Sequence, residues 1–354
     1  MNVTNATLGQ LYFSRPSLNG KGPRPDLSNV TMFAYARQAL VAGLKSCNIT
    51  EGKTVLLPNF ICRDVLSAIH AVGAKPLYFD VNERFEPASD SKNWPDADAV
   101  LAINFFGIPQ DLRSFLEYQS RIGALIIEDN AHGFLSRDEA GLWLGTRADC
   151  GLFSFRKSIQ LGGIGAGLYL KNAPMNVSEP AKEITSPSSA QVLAAGLLKV
   201  ALSWAVQSQL VSPKWISSYL GKKRYTNDDS DWFTNTAESE ETVPSGEVNV
   251  HWVSGILAKV DTEFEINRRR VLFERLCELS NGVSGISPIW KNLGALVVPY
   301  MFAFRPADAN ALNEMTKRIT NEGLRLIRWP DLPRMVRNDI PSIHKNVWAV
   351  PFMW

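Results

Sequence analysis

The chain has 354 residues, 45% of them hydrophobic and 20% charged, with 37 Lys and Arg against 35 Asp and Glu. That length supports a sizeable core and about two domains. The near-neutral balance carries no electrostatic footprint for nucleic acid, so no nucleic-acid partner is expected. Cys47, Cys62, Cys150 and Cys277 are scattered with no CxxC pair, which argues against a zinc knuckle and a disulfide scaffold. No metal is expected, and a reducing compartment is the simpler reading. Residues 1–16 lack a basic region followed by an apolar run. No signal peptide is read there, and a cytoplasmic protein is expected. The Asn-x-Ser/Thr triplets beginning at Asn2, Asn5, Asn29, Asn48 and Asn176 are read as chance rather than as glycosylation sites.

In chain order, Ala36 to Lys45 reads as a helix with Ala39, Leu40, Gly43 and Leu44 on one side. Thr54 to Leu57 is a strand stopping at Pro58, and Val65 to Val72 a helix ending at Gly73. Strands follow at Pro76–Phe79 and Ala99–Ile103, then a helix at Leu112–Gln119. Further strands are read at Ala124–Ile127, Gly151–Phe155 and Ala166–Leu170. Short apolar runs alternating with helices predict a mostly parallel, buried sheet. Ligands of such sheets bind at the carboxyl ends of the strands. The apolar stretch Val192–Val211 contains Lys199, Gln207 and Gln209. It predicts a buried or amphipathic helix rather than a membrane span, leaving open a patch that touches a membrane or partner. Gly221 to Pro244 is polar and reads as a loop or insertion. A helix through Val253, Ile256, Leu257, Val260 and Phe264 follows, and the run Arg268-Arg269-Arg270 reads as a solvated helix face. The tail predicts a strand (295–304), a helix (309–322) capped by Asp308 and a strand (324–329). The expected division is a large domain, 1–240, with an insertion or loop at about 180–240, and a small α/β domain, 241–354.

Two segments carry the chemistry. The first is Ile126-Ile127-Glu128-Asp129-Asn130-Ala131-His132-Gly133. The second is Phe153-Ser154-Phe155-Arg156-Lys157, followed by Gly162, Gly163, Gly165 and Gly167. An Asp at one strand end and a Ser-x-x-Lys after another is the layout of a fold-type I pyridoxal-phosphate site. With Ala34-Tyr35-Ala36-Arg37-Gln38-Ala39-Leu40, Val55-Leu56-Leu57-Pro58-Asn59-Phe60, Gly73-Ala74-Lys75-Pro76-Leu77-Tyr78-Phe79-Asp80-Val81 and Val347-Trp348-Ala349-Val350-Pro351, the chain resembles the DegT/StrS family of sugar aminotransferases.

That resemblance implies a large, mostly parallel mixed sheet sandwiched by helices, a small C-terminal α/β domain, and pyridoxal 5'-phosphate as cofactor. A lysine must bind the cofactor aldehyde. Lys157 is the only lysine between Lys92 and Lys171. A carboxylate must face the pyridine nitrogen, and Asp129 holds that place. The phosphate is expected on the helix start at Ala36 and Arg37 and on Ser154, with Asn249 reaching it from a neighbouring subunit. The resemblance thus implies a homodimer with shared sites. Asn249 also suits a helix cap, and His132 also suits a buried core histidine.

Three positions depart from the family pattern. Most relatives place the lysine five residues after the serine, where this chain has Ile159; a subset carries an Arg-Lys pair at the shorter spacing. Cys62 stands where relatives have a ring stacked on the cofactor, a face that Phe60 or His132 would supply here. Arg37 replaces the commoner threonine. The expected reaction moves an amino group from an amino acid donor, glutamate foremost, to a keto-sugar nucleotide or similar ketone. The alternatives are dehydration on the same fold and a non-catalytic relative. In the known deoxysugar dehydratases a histidine replaces the lysine.

Overall fold

The computed structural model of the chain describes residues 3–159, 161, 163–171, 198, 201–216, 238–246, 250–336 and 338–352. Apolar runs become strands where both faces of a sheet are covered, since every side chain then meets an apolar neighbour. Seven such strands form one sheet: β1 (Val30–Phe33), β2 (Thr54–Pro58), β3 (Lys75–Phe79), β4 (Ala99–Ile103), β5 (Leu125–Asn130), β6 (Cys150–Phe153) and β7 (Ala166–Leu170). Their order is β1-β7-β6-β5-β4-β2-β3. The strands β2 to β6 are parallel, whereas β7 runs antiparallel to both β6 and β1. All five residues of β4 are buried.

The helices Ala36–Ser46, Val65–Ala71 and Arg113–Ile122 lie between the strands. The strand expected over 151–155 stops at Phe153, the last residue paired with β7, opposite Gly167. Ser154 then starts a helical turn, Phe155–Ser158, that carries Lys157.

A second, antiparallel sheet joins β8 (Ile286–Pro288), β9 (Met301–Pro306), β10 (Ile327–Arg328) and β11 (Trp348–Pro351) in the order β10-β11-β9-β8. The helix Ala309–Asn321 starts where Asp308 accepts the Ala311 N–H at 2.8 Å. The large sheet's core runs on into the small one: Leu57, Phe60 and Ile103 share a cluster with Met301, Ala303, Leu332 and Ala349. A second cluster packs the N-terminal helix Leu8–Phe13, through Leu8, Leu11 and Phe13, against Phe273, Phe302, Phe304 and Phe352.

The arginine run is not a solvated face. Arg268 and Arg269 are 2% and 1% exposed, and both donate to Glu265 Oε1 at 2.6 Å. The helix Thr262–Asn281 is long enough to have one face wholly inside, and Glu265 supplies the charge that lets two guanidiniums lie there. Arg268 also reaches the carbonyls of Leu11 and Phe352, and Arg269 that of Ser158 at 2.8 Å. Arg270 bonds the carbonyls of Gly294 and Val297.

Within 192–211, residues 201–207 are helical and amphipathic, with Val206 buried and Trp204 at the surface; 192–197, 199 and 200 lie outside the described residues. Of the expected loop 221–244, residues 221–237 also lie outside them, and Glu238–Glu241 is a helical turn rather than loop. Among the described residues no helix is long and apolar enough to cross a membrane.

Candidate active site

One pocket gathers the carboxyl-end residues of the large sheet. It is lined by Tyr35, Ala36, Arg37, Cys62, Asp129, His132, Ser154, Arg156, Lys157 and Trp329, among others. Seven of the nine residues singled out from sequence meet there: Ala36, Arg37, Cys62, Asp129, His132, Ser154 and Lys157. Phe60 does not line it. Its ring is fully buried and stacks on Phe85 with centroids 4.3 Å apart. Asn249, like Gly162, lies outside the described residues.

Successive residues of a strand face opposite sides, and β5 uses both. Glu128 turns away from the pocket into a buried network. Its Oε1 lies 2.7 Å from the Arg147 guanidinium and accepts from Asn104 at 2.8 Å. Asp129 turns into the pocket. One of its oxygens accepts the Ala131 N–H at 2.9 Å, and no salt bridge forms there among the described residues. Burial raises the Asp129 carboxyl above its ordinary range, against the pull of the Ala131 amide and of Lys157. A partly buried, desolvated carboxylate in that state calls for a cation.

Lys157 Nζ lies 3.2 Å from His132 Nε2, and 6.0 Å from the centre of the Tyr300 ring. The His132 ring is 6% exposed and stacks on Tyr300 at 4.5 Å. Its Nδ1 accepts the Phe106 N–H at 3.2 Å. That amide is aimed by an unusual backbone: Phe106 holds φ +56°, rare for a bulky residue. Gly107 follows at φ +87°, where a Cβ would sit 2.6 Å from the Val298 carbonyl oxygen. With Nδ1 an acceptor, the neutral ring carries its proton on Nε2 and donates it to Lys157 Nζ when that amine is unprotonated. Burial, and then the nearby lysine, hold the imidazole pKa well below the usual histidine range, so the ring is neutral at pH 7.

The alternative lysine position is closed. Ile159 is 3% exposed and sits in an apolar cluster with Phe155, Leu161 and Val253. A cationic side chain there would lose its hydration without a partner, whereas Lys157, two residues earlier, faces the pocket. Cys62 replaces a flat ring by a small thiol. Burial, reinforced by Asp64, pushes that thiol up to about 11, so it is a packing group and not a nucleophile.

Ser154 is 1% exposed and its Oγ has no partner among the described residues. The pocket therefore offers both an unused donor and an ionisable carboxyl. It fits a ligand with an anionic group near Ser154 and a cationic one near Asp129. Sequence reasoning missed Tyr35, Arg156 and Trp329. Tyr35 and Arg156 are direct neighbours of residues that were found. Trp329 comes from the far end of the chain with no motif around it.

This architecture, with Asp129 and Lys157 at the carboxyl ends of adjacent strands, is that of the fold-type I pyridoxal-phosphate enzymes. It superposes on the aminotransferase TlmJ from Streptoalloteichus hindustanus with a TM-score of 0.58 and 17% identity, over 91% of this chain and 80% of that one. The putative sugar aminotransferase Spr1654 from Streptococcus pneumoniae, in its PMP form, gives 0.57 at 15% identity, over 99% and 91%. Residues 28–175 match the model of the DegT/DnrJ/EryC1/StrS aminotransferase family.

Among curated proteins, the chain is 29% identical over 138 residues to a UDP-N-acetyl-3-dehydro-alpha-D-glucosamine 3-aminotransferase of Acidithiobacillus ferrooxidans. The match covers 38% of this chain and 37% of the relative. It is 29% identical over 130 residues to the GDP-perosamine synthase of Escherichia coli O157:H7, covering 35% of each. The chain thus matches little more than a third of the length of these relatives.

Proposed function

We propose that the protein is a pyridoxal-phosphate-dependent aminotransferase that passes an amino group from an amino acid, glutamate foremost, to a keto-sugar nucleotide or similar ketone. The observation that carries this is the meeting of Asp129, Lys157, His132 and Ser154 in one pocket, with the other lysine position filled by the buried Ile159. When bound, the cofactor supplies a protonated pyridine ring that accepts the electrons of a substrate carbanion.

Asp129 would face the ring nitrogen and hold its proton, gaining the counter-charge that burial makes it need. Lys157 Nζ would bind the aldehyde and, when free, move a proton as the general base. His132, fixed on Tyr300 and by the Phe106 amide, orients Lys157 Nζ at 3.2 Å. Ser154 Oγ would donate to the phosphate. The acceptor class rests on two of the curated relatives, those named for nucleotide-sugar chemistry. A homodimer, with Asn249 of each subunit completing the other's phosphate site, belongs to the same reading.

The test is covalent trapping. Protein incubated with the cofactor should turn yellow. Borohydride should then fix the cofactor on the peptide containing Lys157, and glutamate should bleach the colour in the unreduced sample. Trapping on another lysine, or no colour with cofactor in excess, would overturn the assignment.

A further inference from the structure

One wall of the pocket carries more hydrogen-bond donors than the chain itself uses. Ser154 Oγ is buried without a partner among the described residues. Arg156 Nε is also buried and unbonded. Its guanidinium meets no carboxylate among the described residues. It lies over the face of Tyr35, with Cζ 5.9 Å from the ring centre. At the start of the helix Ala36–Ser46 the Tyr35 carbonyl takes the amides of Gln38 and Ala39, at 3.0 and 3.2 Å. The amides of Ala36 and Arg37 make no hydrogen bond among the described residues. All these groups border the same pocket.

Buried donors are almost always satisfied in folded proteins, so several left open on one wall mark the place of an acceptor that the chain does not supply. The positive end of the helix adds to the attraction for an anion. Arg37 is not the free cation of this wall. Its guanidinium bonds the Thr242 carbonyl at 3.3 Å and lies 3.8 Å from Asp64.

We infer that Arg156 anchors the phosphoryl group, forming with Ser154 Oγ and the amides of Ala36 and Arg37 a site for a phosphate dianion. The inference rests on the cofactor reading above and assigns a residue that reading leaves idle. A phosphoryl group suits the wall better than a carboxylate does. It presents three oxygens out of one plane, and the donors here arrive from a side chain, a hydroxyl and a helix end. The guanidinium contributes a charge-assisted bond that neither a hydroxyl nor an amide can match.

The test compares dissociation constants of pyridoxal 5'-phosphate and of pyridoxal, which lacks the phosphate, for wild type, Arg156→Gln and Arg156→Lys. Binding is followed by absorbance, with inorganic phosphate as competitor. Wild type should prefer the phosphorylated form by on the order of 10³-fold. In Arg156→Gln, affinity for that form should fall roughly 30-fold or more, pyridoxal should bind as before, and inorganic phosphate should no longer compete. Arg156→Lys should recover part of the loss.

Equal weakening of both ligands in Arg156→Gln would make the residue structural and overturn the inference. So would an unchanged preference. If wild type bound neither pyridoxal compound but held inorganic phosphate in an Arg156-dependent way, the cofactor reading would fall and the anion site would stand. Loss of all three would sink both.

Discussion

Glu128 and Asp129 are neighbours with opposite duties because a strand turns consecutive side chains to opposite faces. Glu128 is fully buried and neutralised by Arg147. Asp129 is partly buried without a paired cation among the described residues, and its pKa is raised first by desolvation. A carboxyl whose folded value lies above its unfolded value loses stability for the fold as pH rises through that folded value. At pH 7 the charge on Asp129 is therefore a cost in the cofactor-free protein. Asp129→Asn should melt at a higher temperature than wild type at pH 7, with the gap closing toward about pH 4, near the unfolded pKa. The same variant should retain the cofactor less well. Identical cofactor-free melting curves at pH 7 would remove the argument. Asp129 and Lys157 were legible in the sequence because their chemistry coincides with strand ends. Arg156 was not, although it adjoins Lys157, since spacing alone does not say which of two adjacent cations enters the pocket. Phe60 was misplaced for a related reason. An aromatic near a strand end can face the ligand or the core, and the stacked Phe85 decides for the core.

Among the elements, the helix Thr262–Asn281 links the end of the small sheet to the turn that carries Lys157, since Arg268 holds the Phe352 carbonyl and Arg269 that of Ser158. Glu265 lies three and four residues before Arg268 and Arg269, the spacing that puts side chains on one helix face. That spacing was visible in the sequence. What hid the role was the third arginine, which makes the run look like surface. Burial works against ionisation of Glu265, but the two guanidiniums outweigh it and its pKa lies below the ordinary glutamate value. Its contribution is therefore present above about pH 4.3, the unfolded value, and is lost as pH falls through the folded one. Glu265→Gln leaves two buried cations uncompensated and should cost about 3–5 kcal/mol in urea unfolding at pH 7. The variant should also show a flatter acid limb than wild type. A loss under about 1 kcal/mol would mean that the cluster behaves like a surface pair. Because Arg269 holds the Ser158 carbonyl, the variant should also loosen the turn that presents Lys157.

At the scale of the whole molecule, the strands β2 to β7 of the large sheet read easily, whereas β1, at Val30–Phe33, did not. Each of β2 to β7 is a short apolar run bounded by Pro, Gly or a polar strand end, as in Ala99–Ile103 before Asn104. The contacts between distant parts did not read, because nothing in a local pattern says what an apolar helix face will meet. The N-terminal helix Leu8–Phe13 shows this: Leu11 is 0% exposed, inside a cluster built mainly from residues beyond 270. Leu11→Ala should cost about 2–5 kcal/mol, measured by urea unfolding, and should also weaken proteolytic protection of the C-terminal sheet. Full protection would mean that the two ends of the chain are independent. The same packing has a consequence in time. On the ribosome Leu8–Phe13 emerges long before Phe302, Phe304 and Phe352 are made. Until then this apolar segment lacks much of the core it enters and is exposed to chaperones or to other nascent chains. The large sheet can assemble as it emerges, while the helix Leu8–Phe13 waits for β9 and Phe352.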